Sequence, residues 1–211
     1  MMTSCIAQQL EKPTAGLLGW LAKKFFERYN RVLEEGAVKL CDIQPDNVVL
    51  ELGFGPGLGL QEAARRLTHP AGKLYGLDIS EYMYNTASER LKAEIQAGKV
   101  TLFLGSVEHI PLGDSTLDRV YHCNCYYFWP DLRAGSREIH RVMKPGALMV
   151  TTLHLEGLQR AVAAGPLKDT KWQPELYMET LREIGFVNVY MEEQQMNGKP
   201  VHAIFATANK A

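Results

Sequence analysis

Val48-Val49-Leu50-Glu51-Leu52-Gly53-Phe54-Gly55-Pro56-Gly57-Leu58-Gly59 is a short apolar run that stops on a cluster of glycines. Its length and β-branched start mark Val48 to Leu52 as a buried strand, and the helical spacing that resumes from Gly59 to Leu67 gives the order strand, glycine loop, helix. Glycines at that point let backbone approach a ligand at the carboxyl end of a strand, the crevice where doubly wound sheets bind. A nucleotide-like ligand is implied. The dinucleotide fingerprint fails, however: begun at Gly53 it needs a small residue at 58 and meets Leu58, and begun at Gly55 it needs one at 60 and meets Leu60. A nicotinamide-dependent oxidoreductase loses its main support there. Pro56 removes one N–H, and Glu51, just before the loop, would repel a pyrophosphate but attract an ammonium or sulfonium group.

The same alternation continues outward. Strands are predicted over Lys73 to Leu77, Val100 to Leu104, Leu117 to Cys123 and Ala147 to Leu153, with helices over Tyr82 to Ala97 and Leu132 to Val142. Such alternation builds parallel βαβ units. His154 to Thr170 reads as irregular, and Glu175 to Ile184 as a helix begun by Pro174 and stopped by Gly185. Val187 to Met191 and Val201 to Thr207 are joined through Asn197-Gly198-Lys199-Pro200, too short for a parallel crossover, so they should pair antiparallel. At the other end, Met1 to Pro13 reads as a loose polar arm. Leu17, Leu18, Leu21, Phe25, Tyr29, Val32 and Leu33 then recur at helical spacing, as an amphipathic helix or pair.

Composition narrows the function classes. With 46% hydrophobic residues, 22% charged residues and a formal net charge of -1, the chain lacks the basic excess that phosphate contacts favour, and no nucleic-acid partner is expected. Four cysteines make no disulfide framework, and Cys123 and Cys125, alternate residues of a strand, make no three-thiolate metal site. The N-terminus lacks the apolar core of a signal peptide, and no apolar run approaches the roughly 20 residues of a membrane span. A cytoplasmic protein with no membrane partner, monomeric or homodimeric, is the expectation.

Asp78 ends the second strand, 21 residues past Gly57, where a carboxylate can accept both hydroxyls of a ribose. From Val48 to Thr207 the sequence resembles the class I S-adenosylmethionine-dependent methyltransferases. The family's first motif stands as Val49 to Gly57, its ribose acid as Asp78, and its adenine-side motif as Gly105-Ser106-Val107-Glu108-His109-Ile110-Pro111. Leu117-Asp118-Arg119-Val120 matches its fourth-strand start and Arg141 to Gly146 its turn before the fifth strand. The resemblance implies a three-layer α/β, Rossmann-like fold: seven strands, five parallel plus a C-terminal antiparallel hairpin, under an N-terminal helical lid. One domain over residues 1–211 is implied, with an arm and lid (1–44), a cofactor-binding half (45–155) and a substrate-side segment with the hairpin (156–211). The cofactor S-adenosylmethionine would be held by Glu51, Gly53, Phe54, Gly55, Gly57, Asp78, Ile79, Met83, Gly105, Ser106, Val107, His122 and Asn124. Ser106 departs from the family, which usually carries an aspartate there; a hydroxyl or water would substitute. Met83 either packs on the adenine or belongs to the core.

The acceptor side is read from Tyr121 to Asp131, after the fourth strand. It lacks the Asn/Asp-Pro-Pro-aromatic tetrad of the nucleic-acid amino-methyltransferases and carries four consecutive aromatics instead. These suit an apolar pocket for a small aromatic or lipophilic acceptor, although any one of them could simply cap the sheet. Trp20, Tyr29, Tyr126, Tyr127, Trp129 and His154 are the candidate acceptor contacts, with Asn124 and the 155–170 segment shaping the pocket and Phe25, Phe26 and Asn30 on its lid side. No catalytic base stands out. His122 and His154, at the ends of the fourth and fifth strands, are the candidates. The other histidines match no metal spacing, so no metal is expected. Lys23, Lys24, Arg28 and Arg31 read as solvated surface. A cofactor-binding scaffold without turnover is the alternative that fold alone leaves open.

Overall fold

The computed structural model describes residues 2–165, 167 and 171–210. Its strands are β1 (Val48–Leu52), β2 (Lys73–Asp78), β3 (Val100–Leu104), β4 (Leu117–Cys123), β5 (Met143–Leu153), β6 (Phe186–Met196) and β7 (Lys199–Ala208). They form one sheet in the order β3-β2-β1-β4-β5-β7-β6. β1 to β5 run parallel, and β7 lies antiparallel between β5 and β6. The chain winds outward from β1 to β3 and then returns to place β4 on the other side of β1. That reversal opens a crevice at the carboxyl ends of β1 and β4.

Helices cover both faces, and strand alternation decides which side chain meets which helix. Leu50 and Leu52 of β1 join the cluster of Ile139, Val142, Tyr177 and Leu181, supplied by α7 (Leu132–Val142) and α9 (Pro174–Ile184). Val49 of β1 and Tyr121 and Cys123 of β4 face Leu33, Ala37, Leu60 and Ala63, from α3 (Arg31–Leu40) and α4 (Leu58–Arg66). Glu51, between Leu50 and Leu52, is turned toward α3 and α4.

Four local expectations are corrected. The loose arm is a helix, α1 (Met2–Glu11), rich in good helix formers at its end and closed by Gln9, which accepts from Thr14 N–H at 3.0 Å and donates to Thr14 Oγ1 at 2.9 Å. α2 (Leu17–Tyr29) and α3 follow as the pair. The helix predicted from Tyr82 breaks at Leu91 into α5 (Glu81–Arg90) and α6 (Lys92–Gln96). The irregular segment holds α8 (Leu155–Ala163), whose first turn is capped by His154, Nδ1 accepting from Gly157 N–H at 2.9 Å. Histidine is not among the usual caps, so the sequence carries no start signal there; positions 166 and 168–170 lie outside the described residues. Finally, the terminal strands are longer than predicted because only Asn197 and Gly198, both left-handed at φ 51 and 73, make the turn. Lys199 lies three residues before His202, the partner of Leu153 at the end of β5, so the hairpin projects roughly 10 Å beyond the sheet.

Candidate active site

The loop after β1 owes its path to Gly53, Gly55 and Gly57, at φ 63, 50 and 81. Gly53 N–H donates to Leu77 O at 2.8 Å, stitching the loop to the end of β2. There Asp78 turns its carboxylate over the loop, Oδ2 accepting from Gly55 N–H and Oδ1 from Ser80 N–H, both at 2.8 Å. Burial pushes its pKa up to about 6, outweighing the backbone N–H groups that lower it. The Ser80 hydroxyl caps α5, accepting from Met83 N–H at 3.2 Å, and donates to Pro13 O at 2.5 Å, which brings the α1–α2 linker to the same corner. Arg90 of α5 donates to Pro56 O and pairs with Glu27 of α2, each at 2.7 Å, so the loop is also held to the N-terminal helices.

Beneath the loop lies a pair of acids. Glu51 accepts from the Tyr121 hydroxyl at 2.9 Å through Oε2. Its Oε1 and Oε2 of Glu34, on α3, are buried without a donor. Both oxygens press on Gly59 in the first turn of α4, where an added Cβ would stand 2.4 Å from Glu51 Oε1 and 2.7 Å from Glu34 Oε2. One proton shared between the carboxyls satisfies both. Burial raises the proton affinity of each, and the charge of Glu34 raises that of Glu51 further.

A cavity of about 710 Å³ opens over the crevice, the size of a small-molecule site. Gly53, Gly55, Asp78, Ile79 and Met83 line it, with Gly105, Ser106 and Val107 from the loop after β3. Asn124, Tyr127, Phe128 and Trp129 follow β4, and His154, Leu158 and Arg160 come from the start of α8 and its face. α1, α2 and α3 close it with Leu10, Glu11, Phe25, Tyr29, Asn30 and Glu34, and the hairpin adds Lys199. Asn124, left-handed at φ 48, holds three pieces together: its side chain donates to Asn30 Oδ1 and accepts from His154 N–H, both at 3.4 Å, and its N–H donates to Thr152 O at 3.0 Å.

Six predicted site residues are not on this wall. Glu51 faces α3 and α4, as above. Phe54 is fully buried over Gly76, whose missing side chain makes room for the ring. Gly57 starts α4 from behind the loop, packed against Ala87. Trp20 stands 46% exposed on the outer side of α2. Tyr126 stacks on Tyr177 at 4.4 Å and donates to Trp172 O.

The sixth, His122, is fully buried, with Nε2 2.9 Å from the Tyr177 hydroxyl and 2.8 Å from Thr151 Oγ1 and Nδ1 3.4 Å from Cys125 Sγ. Burial lowers its pKa to about 3, so it is a neutral structural imidazole. His154 does reach the wall, but its Nδ1 lone pair is taken by Gly157, so the neutral ring carries its proton on Nε2 and offers a donor. Ser106 Oγ accepts from Glu108 N–H at 3.3 Å and also lines the cavity. Sequence reasoning missed Glu34, although a carboxylate between Leu33 and Ala37 on the core side of an amphipathic helix was a visible signal. Leu10, Glu11 and Lys199 gave none, whereas Arg160 lies in the 155–170 segment expected to shape the pocket.

The arrangement fits S-adenosylmethionine. Asp78 is aimed by backbone N–H groups and keeps lone pairs for a vicinal diol. Met83, Ile79 and Val107 offer apolar faces to a flat base, and a Cβ on Gly53 would stand 3.1 Å from Cys125 Cβ, so the bare backbone lets the loop pack closely on the segment after β4. A methyltransferase domain model matches residues 49–146. The uncharacterized methyltransferase YdaC of Bacillus subtilis is 31% identical over 181 residues, covering 86% of this chain and 93% of that protein. The chain belongs to the class I S-adenosylmethionine-dependent methyltransferases. This methyltransferase is also 30% identical to the demethylmenaquinone methyltransferase of Geobacillus sp., over 60% of this chain and 57% of that enzyme, so it spans little more than half of it. A solved S-adenosylmethionine-dependent methyltransferase from Aquifex aeolicus shares the fold, with TM-score 0.67 at 21% identity over 88% of this chain and 96% of that one.

Proposed function

We propose that this methyltransferase alkylates a small acceptor with an aromatic or lipophilic body, by direct displacement. The observation that carries this reading is the predominantly apolar wall of the cavity, to which Phe25, Tyr29, Tyr127, Phe128, Trp129 and Leu158 all contribute. S-adenosylmethionine, when bound, supplies a methyl group on a positively charged sulfur. Asp78 would accept its ribose hydroxyls, the Gly53 and Gly55 backbone would lie along it, and Met83, Ile79, Gly105, Ser106 and Val107 would enclose its base. Glu51, Phe54, Gly57 and His122 would support those contacts from below, and Asn124 would hold the wall between cofactor and acceptor. The remaining work of the protein is to align the acceptor and exclude water, which can supply roughly 7–11 kcal/mol. His154, offering N–H rather than a lone pair, orients an acceptor whose nucleophile ionises unaided, such as a thiol, an acidic phenol or a stabilised carbanion. Cys41, Cys123 and Cys125, all unpaired, support a reducing, cytoplasmic setting.

The test is a labelled-methyl transfer assay in which phenols, hydroquinones, thiols, polar amines, peptides and RNA are offered in parallel. Turnover concentrated on the apolar small molecules supports the reading. Turnover on polar amines or macromolecules alone refutes it.

A further inference from the structure

Leu17, Leu18, Trp20, Leu21, Phe25 and Tyr29 of α2 stand in solvent, each 46–73% exposed. Single exposed apolar residues need no explanation, but these share one 13-residue helix whose buried side is only Gly19 and Ala22. Leu17, Leu21, Phe25 and Tyr29 follow at four-residue intervals, with Leu18 beside them, as a continuous stripe. The helix is also basic. Lys24 and Arg28 border the stripe with Lys23 beyond, while Arg31 at the start of α3 pairs with Glu35 at 3.9 Å and the sole acid of α2, Glu27, is taken up by Lys24 at 3.2 Å and Arg90 at 2.7 Å. The stripe runs into the cavity, because Phe25 and Tyr29 are at once exposed and on its wall. Lys199 belongs to that wall too, as does Arg160, which pairs with Glu156 at 3.9 Å, and Glu11 is the wall's one exposed acid among the described residues.

We propose that α2 lies on an anionic lipid surface, its apolar stripe among the headgroups, and that the cavity opens there to admit a lipophilic acceptor. An apolar stripe flanked by Lys and Arg with no free acid is the pattern of a helix that lies in a membrane interface. Such a helix needs no spanning run, so the span-length criterion behind the expectation of no membrane partner does not reach it. A second copy of the chain would set the same cations against each other across a two-fold axis, which an anionic bilayer avoids. The entry route rests on the proposed acceptor; the docking itself does not.

The whole protein is pelleted with vesicles of phosphatidylcholine, alone or mixed with phosphatidylglycerol, with no acceptor present. Binding should be at least roughly tenfold stronger to the mixed vesicles and fall with salt, as two or more cations near the surface require. Leu17→Glu with Leu21→Glu, neither on the cavity wall, should cut pelleting by at least roughly tenfold and leave calorimetric S-adenosylmethionine affinity unchanged, which also reports that the variant is folded. Arg28→Gln should weaken binding to mixed vesicles about fivefold and not to neutral ones. Equal pelleting on both vesicles, none on either, or pelleting unmoved by these variants overturns the proposal. So does a dimer in sedimentation velocity that the double variant dissolves, since that places a second copy on the stripe. Because no acceptor is present, failure here leaves the acceptor reading intact, and a negative acceptor screen leaves the vesicle result standing.

Discussion

Replacing Gly59 by alanine sets two effects against each other. In an ordinary helix the change gains at most about 1 kcal/mol, because glycine gives up the most backbone freedom. Here the new methyl would meet Glu51 Oε1 at 2.4 Å and Glu34 Oε2 at 2.7 Å, closer than atoms approach without movement. Either the first turn of α4 lifts from the sheet, an overpacking cost of about 1–3 kcal/mol, or Glu51 rotates away from Tyr121. The second route breaks a buried hydrogen bond and leaves its hydroxyl unpaired, at about 1.5–3 kcal/mol. The loss outweighs the gain, and Gly59→Ala should be less stable by a net of about 0.5–2 kcal/mol, lowering Tm by roughly 1–8 °C for a chain of this size. Gly36, in α3, is the internal control. Its added Cβ would meet Met196 Cγ at an ordinary 3.5 Å, so Gly36→Ala should gain up to about 1 kcal/mol. Urea unfolding followed by circular dichroism measures both. If Gly59→Ala is as stable as the parent while Gly36→Ala behaves as stated, the two acids do not press on α4 and the shared-proton geometry is wrong.

Asp78, its pKa held up at about 6, must be ionised to accept two hydroxyls. Cofactor affinity should therefore be level above that pH and fall about tenfold per unit below it, and Asp78→Asn should lose at least about tenfold at neutral pH along with this dependence, by calorimetry across pH. The raised carboxyls of Glu34 and Glu51 mean that the folded chain keeps a proton the unfolded chain has released. Stability should therefore fall as pH climbs from the ordinary carboxylate range through the raised values, by about 1–3 kcal/mol between roughly pH 5 and 8, and Glu34→Gln should flatten that slope in urea melts; an unchanged slope would place the proton elsewhere. His154→Ala should cost about 1 kcal/mol through the α8 cap yet change kcat by no more than about threefold, whereas a loss of about a hundredfold or more would make the imidazole a base after all.

The parts of this molecule that the sequence made legible are those where local chemistry and global fold agree. The glycine loop, the strand before it and Asp78 are legible because left-handed backbone and a strand-end carboxylate leave few alternatives. The Pro174 and Gly185 boundaries of α9 likewise follow from ring and backbone geometry. Pairings across the sheet are harder. Whether Glu51 meets a ligand or another acid depends on which face of β1 it occupies and on what α3 brings from 17 positions earlier in the chain, and only assembly reveals that. Tyr126 and His122 show the same limit. Both sit in the aromatic stretch that reads as a pocket, but α9 supplies Tyr177, which draws both of them into the core. α8 was missed because its start is capped by His154, with no Ser, Thr, Asp or Asn there to announce it, and α1 because its end is closed by Gln9 and Thr14 acting at short range, with no Gly stop signal.

The proton held between Glu34 and Glu51 also alters what the molecule looks like from a distance. The formal charge of -1 counts every carboxylate as ionised, and the raised proton affinity of this buried pair moves the folded chain from there toward electroneutrality. A body without a net monopole is neither drawn to nor repelled from charged surfaces until it is within about a Debye length of them, roughly 8 Å in physiological salt. At that range the uneven spread of its charges takes over. On the docking proposed above, the face carrying Lys24 and Arg28 would then turn toward an anionic surface, and capture would be a matter of orientation before it is one of attraction.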